Sequence, residues 1–327
     1  MGIDFVTVLI AVISLILLAV PAFILNKMKL LPEKASEVLS TIVLYGCQPA
    51  LVFMSFQGKE FDSSIAMNML IVAGIAFAVH LAMFVVVKIF VRGDSAKLRC
   101  VRAASVFGNC AYMGVPFLQT LFGASTVWGE IMIYTAVVLT VFNILNWTLG
   151  VYLVTGSMKN VSLKKIILNP TIIAIVLGFV LFITLKKPLV DLAADGSTLD
   201  LILTNFANAC NFLGNTVTPL AMFVVGIRLS NLEVKKLFSD KWAYITSFLK
   251  LVVCSLITIA IIAFLPISME VKNTLFFLLS MPCATSTALF AVQFGADGDS
   301  ASIYVLLSTV LSIVVIPLMY TLFSALV

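Results

Sequence analysis

Residues 273–294 read NTLFFLLSMPCATSTALFAVQF, an apolar run of membrane-spanning length with Pro282 near its middle. A hydrocarbon core about 30 Å thick is crossed by ~20 apolar residues of helix. A proline inside such a helix removes one backbone hydrogen bond and clashes with the preceding turn. In lipid, the freed backbone groups need partners from protein, water or a bound solute. One interruption of this kind reads as a kink. The reading changes because a second apolar run, residues 98–122, carries GNCAYMGVP at 108–116. Gly108 and Gly114 allow non-helical angles or close backbone approach, and Pro116 ends the motif. Two interruptions at matching places favour a site over a kink.

Eight further apolar runs, at 4–26, 37–56, 65–91, 130–155, 167–186, 200–228, 243–265 and 301–326, bring the number to ten. Of the 327 residues, 62% are hydrophobic and 11% charged, against about 25% charged in a soluble domain. That mixture cannot make a water-soluble surface, and the short polar gaps leave no room for a separate soluble domain. The expected fold is an all-α polytopic membrane protein of ten transmembrane helices lodged in a lipid bilayer. The first run lacks a basic leader and a small-residue cleavage site, so it reads as a retained helix.

The halves of the chain match. Segment 2 contains QPALVF at 48–53 and segment 7 TPLAMF at 218–223; segment 4 ends in FGAS at 122–125 and segment 9 in FGAD at 294–297. Two repeats follow, 1–156 and 167–327, and an odd number of helices in each makes them inverted. Segments 4 and 9 then occupy equivalent places, broken at about 109–116 and 281–285 and crossing near the membrane centre. Lysines and arginines set the orientation, because basic loops stay cytoplasmic. Lys27, Lys29, Lys34, Lys88, Arg92, Lys97, Arg99, Arg102, Lys159, Lys164, Lys165, Arg228, Lys235, Lys236 and Lys241 fall on one side, against Lys59, Lys186, Lys187 and Lys272 on the other. Both termini are therefore expected outside the cytoplasm, in a multi-pass protein of the cell (plasma or inner) membrane.

At the crossing, half-helices beginning near Tyr112 and Ala284 would aim unpaired N–H groups and positive dipole ends at one point, a geometry that suits a carboxylate. The candidate substrate-binding residues are Asn109, Cys110, Ala111, Tyr112, Met113, Gly114 and Pro116 from one motif, and Met281, Pro282, Cys283, Ala284 and Thr285 from the other. Asn109 ranks first among them. Ser280, Ser286 and Thr287 offer hydroxyls, which in membrane helices often bond their own backbone instead. Asn143 and Asn146 make a similar, shorter face of segment 5; they join the candidate substrate-binding residues if that face borders a cavity, the alternative being that it does not. Asn205, Asn208, Asn211 and Asn215 form a stripe on segment 7 that either lines a cavity or bonds between helices. His80, the one histidine, is a possible coupling residue or a satisfied interior polar group.

Lys250, about two turns into segment 8, is expected to snorkel to the cytoplasmic side. That would leave no Lys or Arg at the midplane, with the half-helix dipoles as the positive potential. No Asp or Glu lies deep in any segment, Glu130 being at a rim, so a carboxylate proton relay has no residue. Phosphate-loop, zinc-helix and nucleophile motifs are missing, and the six cysteines are too scattered for a metal or redox pair. No enzyme chemistry, cofactor or metal is implied. The basic residues sit in short clusters rather than in a stripe with aromatics, which excludes nucleic acid as a partner.

The chain resembles the auxin efflux carrier family, whose bacterial members are associated with malonate, malate and similar acids. The likeness covers nearly the whole chain and is carried by QPALVF, GNCAYMGVP and MPCATSTALFAVQFG (281–295). It implies a scaffold of helices 1, 2, 6 and 7 that also forms a homodimer surface, and a moving transport domain of helices 3–5 and 8–10. It also implies a substrate carboxylate held where the broken helices cross, at Asn109 to Pro116 and Met281 to Thr285. The charged cluster that plant members place near the crossing has no acidic counterpart here. The function expected is secondary transport of small organic anions, in the direction of export, by an elevator movement. A sodium- or proton-coupled carrier resembling the bile-acid transporters is the alternative, with a channel or membrane enzyme further behind.

Overall fold

A computed structural model describes residues 3–162, 164, 167–231 and 234–327, apart from the side chains of 234–236. Lys165 and the side chains of Lys235 and Lys236, counted above among the cytoplasmic charges, fall outside the described residues. The chain is an all-α membrane protein. In order the helices are α1 (Phe5–Lys27), α2 (Ala35–Ser55), α3 (Ser63–Phe90), α4a (Ala96–Val106), α4b (Cys110–Phe122), α5 (Trp128–Thr155), α6 (Pro170–Leu185), α7 (Thr198–Ser230), α8 (Lys241–Ile262), α9a (Met269–Leu279), α9b (Thr285–Gln293) and α10 (Gly298–Leu326). A short helix, Val234–Ser239, precedes α8. Among the described residues, eight helices are long and apolar enough to span a membrane. The other two apolar runs, the fourth and ninth, are the split ones.

Local sequence explains where most helices begin. Asp4, Asp62, Ser95, Asn169, Ser197, Asp240, Ser268 and Asp297 each accept a first-turn N–H on their side chain, at the starts of α1, α3, α4a, α6, α7, α8, α9a and α10. Such caps satisfy part of the row of four orphan donors at a helix N-terminus. The two half-helices that begin inside the bundle, α4b and α9b, have no side-chain cap.

Four helices contain a π-turn: Val43–Cys47 in α2, Cys110–Gly114 in α4b, Asn146–Gly150 in α5 and Leu249–Val253 in α8. The first two are followed by Pro49 and Pro116 at the head of the next α-helical stretch. Those prolines withhold the N–H that would close an ordinary turn.

The helices pack in two groups. α7 lies along α1 and α2, and α6 packs on α2. Glycine sets these approaches, because a Cβ at Gly226 would strike the Ala19 carbonyl and one at Gly178 would come within 2.7 Å of the Phe56 ring. In the second group α3 packs on α5, α4a on α5 and α10, α8 on α10 and α9a, and α9b on α10. α1 touches this group mainly through α10 and α4b. Phe276, Phe277, Tyr320 and Phe323 stack between α9a and α10, with ring centroids 4.8–5.7 Å apart.

Candidate functional site

The two breaks meet. Gly108 and Cys283 form an antiparallel bridge, closed by Asn109 N–H donating to the Pro282 carbonyl at 2.7 Å and Ala284 N–H donating to the Phe107 carbonyl at 2.8 Å. The observed breaks, 107–109 and 280–284, lie at and just before the expected positions. Cys283 N–H donates to the Ser308 hydroxyl at 3.0 Å, and Cys110 N–H to the Gly108 carbonyl at 2.9 Å. The unwound backbone thus satisfies itself. Its amides at 109, 110, 283 and 284 are spent, so the N–H of Ala284, where the second half-helix was expected to begin, is not free.

The donors that remain sit one step further on. Ala111 and Tyr112 in the first turn of α4b, and Thr285 and Ser286 in the first turn of α9b, have backbone N–H groups with no acceptor among the described residues. All four residues line one cavity of about 730 Å³. Three side-chain atoms buried without a partner, Asn109 Nδ2, Gln48 Oε1 and Ser40 Oγ, belong to residues lining the same cavity. Native interiors rarely strand a buried polar atom, and a cluster of them marks a place for something polar to bind.

Around this inner end the wall is partly aromatic. Trp147 and Phe290 pack with centroids 4.8 Å apart, and Phe142, Tyr112 and Tyr45 complete it. Asn143 and Asn146 both line the cavity. Asn143 Nδ2 donates to the Leu139 carbonyl at 2.8 Å, and Asn146 Oδ1 accepts from the Ser286 hydroxyl at 3.2 Å. The charged residues of the lining are Glu37 at the start of α2, Lys164 between α5 and α6, and Arg228 in the last turn of α7, whose Nε donates to the Ser36 hydroxyl at 3.1 Å.

The remaining expected residues serve the frame instead. Cys110 turns away, its Sγ donating to the Leu278 carbonyl at 3.1 Å. Met113, Gly114, Pro116, Met281 and Cys283 are buried and outside the cavity lining. A Cβ on Gly114 would lie 2.7 Å from the Leu278 side chain, so this glycine lets α4b press on α9a. His80 is buried, with Nδ1 2.7 Å from the Ala76 carbonyl and its ring 5.5 Å from Phe107. Because a carbonyl only accepts, Nδ1 carries the proton. Asn205, Asn208, Asn211 and Asn215 line neither this cavity nor its neighbour and are exposed along the outside of α7.

Lys250 departs furthest from expectation. It does not snorkel: it is 1% exposed, and its Nζ donates to the Leu279 carbonyl at 2.9 Å and approaches Cys254 Sγ at 3.4 Å. A Cβ added to Gly108 would lie 3.0 Å from its Cε and Nζ. The Lys250 Nζ therefore stands against the bridge, where the sequence reading put no Lys or Arg. The cause is the π-turn at 249–253, whose extra residue turns the face of the helix by about 100°. No proline announces it. Gln48, Ser40 and Arg228 were also missed as lining residues, because nothing in their local sequence tells which face of α2 or α7 meets the crossing.

Comparison with known proteins gives the same class. A family described as "Membrane transport protein" matches residues 7–161 and 154–320. The chain is 23% identical over 293 residues to an uncharacterized transporter of Methanocaldococcus jannaschii, covering 88% of this chain and 90% of that one. It is 24% identical over 318 residues to an uncharacterized transporter of Methanothermobacter thermautotrophicus, covering 94% and 95%. With the paired breaks, the cavity that ends on them and a family match along nearly its whole length, the chain belongs to the membrane transport protein family, that of the auxin efflux carriers.

Proposed function

We propose that this transporter carries small organic anions, binding a carboxylate at the inner end of the cavity against α4b and α9b. One observation carries the reading: four unpaired backbone N–H groups and the unpaired Asn109 amide border a single cavity, at the positive ends of two half-helices. Oxygen-rich anions are the ligands such a cluster favours. Arg228 and Lys164 in the lining raise the local anion concentration, and the aromatic wall suits a short carbon skeleton. The test is a calorimetric screen of purified protein with malonate, malate, succinate, acetate, indole-3-acetate and, as controls, choline and glucose. Carboxylate binding is expected. Preference for a cation or an uncharged solute would sink the reading.

In this reading each split run counts as one crossing, giving ten in two inverted repeats, with basic loops and the cavity mouth on the cytoplasmic side. The grouping of α1, α2, α6 and α7, which meets the other helices mainly where α1 packs on α10 and α4b, supports an elevator movement of the second group. Exposed Asn208, Asn211 and Asn215 of α7 support a homodimer, since amides facing lipid tails lack partners that a second α7 supplies, whereas Asn205 Nδ2 already donates to the Leu201 carbonyl at 2.7 Å. The driving force is a gradient. Export of an anion from a cell negative inside gains about 2.3 kcal/mol per charge per 100 mV. His80, held by Ala76 away from both cavities, is a weaker candidate for coupling than its uniqueness in the sequence suggests.

A further inference from the structure

Resting on that reading of the crossing, we propose that the Lys250 ammonium is a tethered cation: it fills the place where a coupled carrier would bind sodium, so this transporter works without one. The four half-helix ends at the crossing divide by sign. α4b and α9b point N-termini at the cavity; α4a and α9a end in carbonyls on the other side. In coupled carriers the sodium ion is held by such C-terminal ends and by unwound carbonyls. Here the last carbonyl of α9a, that of Leu279, accepts from Lys250 Nζ, and the same ammonium lies against Gly108, just past the end of α4a. The cation place at the crossing is occupied by the chain itself.

The energetics argue for a role beyond packing. A buried ammonium costs several kcal/mol of lost hydration, and no carboxylate forms an ion pair with it among the described residues. The titratable groups around it are His80 of α3, Cys110 of α4b, Cys254 of α8 and Cys283 in the α9 break, none of them acidic carboxyls. A methionine of similar length would fill the space more cheaply. What a methionine lacks is charge, and charge at the carbonyl pole is what a bound sodium ion supplies elsewhere.

Full-length protein in detergent, melted in sodium, potassium, choline and methylammonium chlorides at one ionic strength, tests this. The parent is expected to melt at the same temperature in sodium as in choline. Lys250→Ala takes the Nζ away from the Leu279 carbonyl, which then keeps, among the described residues, only the Cys254 thiol as donor, at 3.4 Å. It is expected to melt lower in choline and to recover by on the order of 5 °C, saturably, in methylammonium or sodium. Saturable stabilisation of the parent by sodium overturns the proposal, as does a Lys250→Ala protein that melts alike in every salt. If that variant is not recovered monodisperse, Lys250→Ser carries the same comparison; failing both, the sodium response of the parent decides alone. No arm uses a carboxylate, so a failure of the substrate reading would show separately, as absent malonate binding.

Discussion

At the scale of single residues, Asn109 joins the two functions of the crossing. Its backbone N–H closes the bridge onto Pro282, while its side-chain Nδ2 is buried without a partner beside the cavity. Asn109→Ala removes only the second. Carboxylate affinity is expected to fall by roughly 1–3 kcal/mol, the usual worth of a buried polar partner, with the melting temperature of ligand-free protein nearly unchanged; calorimetry and a melting curve on one preparation check both. Gly108 is the structural counterpart. Gly108→Ala puts a methyl 3.0 Å from Lys250 and 3.2 Å from the Met281 carbonyl, a strain expected to cost on the order of 1–3 kcal/mol. Shortening the lysine in Gly108→Ala/Lys250→Ala should make that cost smaller than in the parent, which a double-mutant cycle of melting temperatures measures.

Helices carried most of what the sequence made legible. Apolar length located them, Asp, Ser and Asn caps fixed many of their starts, and Pro116 and Pro282 marked both breaks. Illegible were features with no residue signature, such as the π-turn of α8, within which Lys250 lies, and the facing of α2, which brings Gln48 to the cavity. Periodicity assumes one uniform pitch, and each π-turn resets it. Between helices, Gly226 is the tightest approach. Gly226→Ala should part α1 from α7 and lower the melting temperature by several degrees, at about 1–3 kcal/mol. Cys210 is the one cysteine not fully buried, but at 100° per residue it lies on the face of α7 that carries buried Ala207, Gly214 and Val217, away from the asparagine stripe. In a Cys210→Ser background, Asn211→Cys, on the stripe itself, is expected to cross-link to a second copy under mild oxidation in native membranes; a monomer by light scattering would remove the dimer.

For the whole molecule, Glu37, Lys164 and Arg228 add charge to the wall of the cavity. The start of α4a is tied to α8 by Lys97 and Asp240, 2.7 Å apart, and Asp94 pairs with Arg99 at 3.6 Å and Arg102 at 3.3 Å. These bonds lie within one helical group, so sliding that group past α1, α2, α6 and α7 breaks none of them. In a Cys210→Ser background, Lys97→Cys and Ser162→Cys are expected to react with an impermeant maleimide in inside-out vesicles but not in intact cells. Labelling of position 97 from outside would reverse the assigned orientation.

The bridge between Gly108 and Cys283 is made of main chain. Its hydrogen bonds ask only that residue 108 stay small and that residue 282 offer a carbonyl, as any residue does. Asn143, Asn146, Thr285 and Ser286 stand around it without closing it. The frame of the crossing is therefore separable from its vocabulary: in the proposed reading, exchanging those side chains would rewrite which cargo is admitted while the knot itself persists. Selection for a new nutrient or a new toxin would act on the wall and leave the hinge of the machine unaltered.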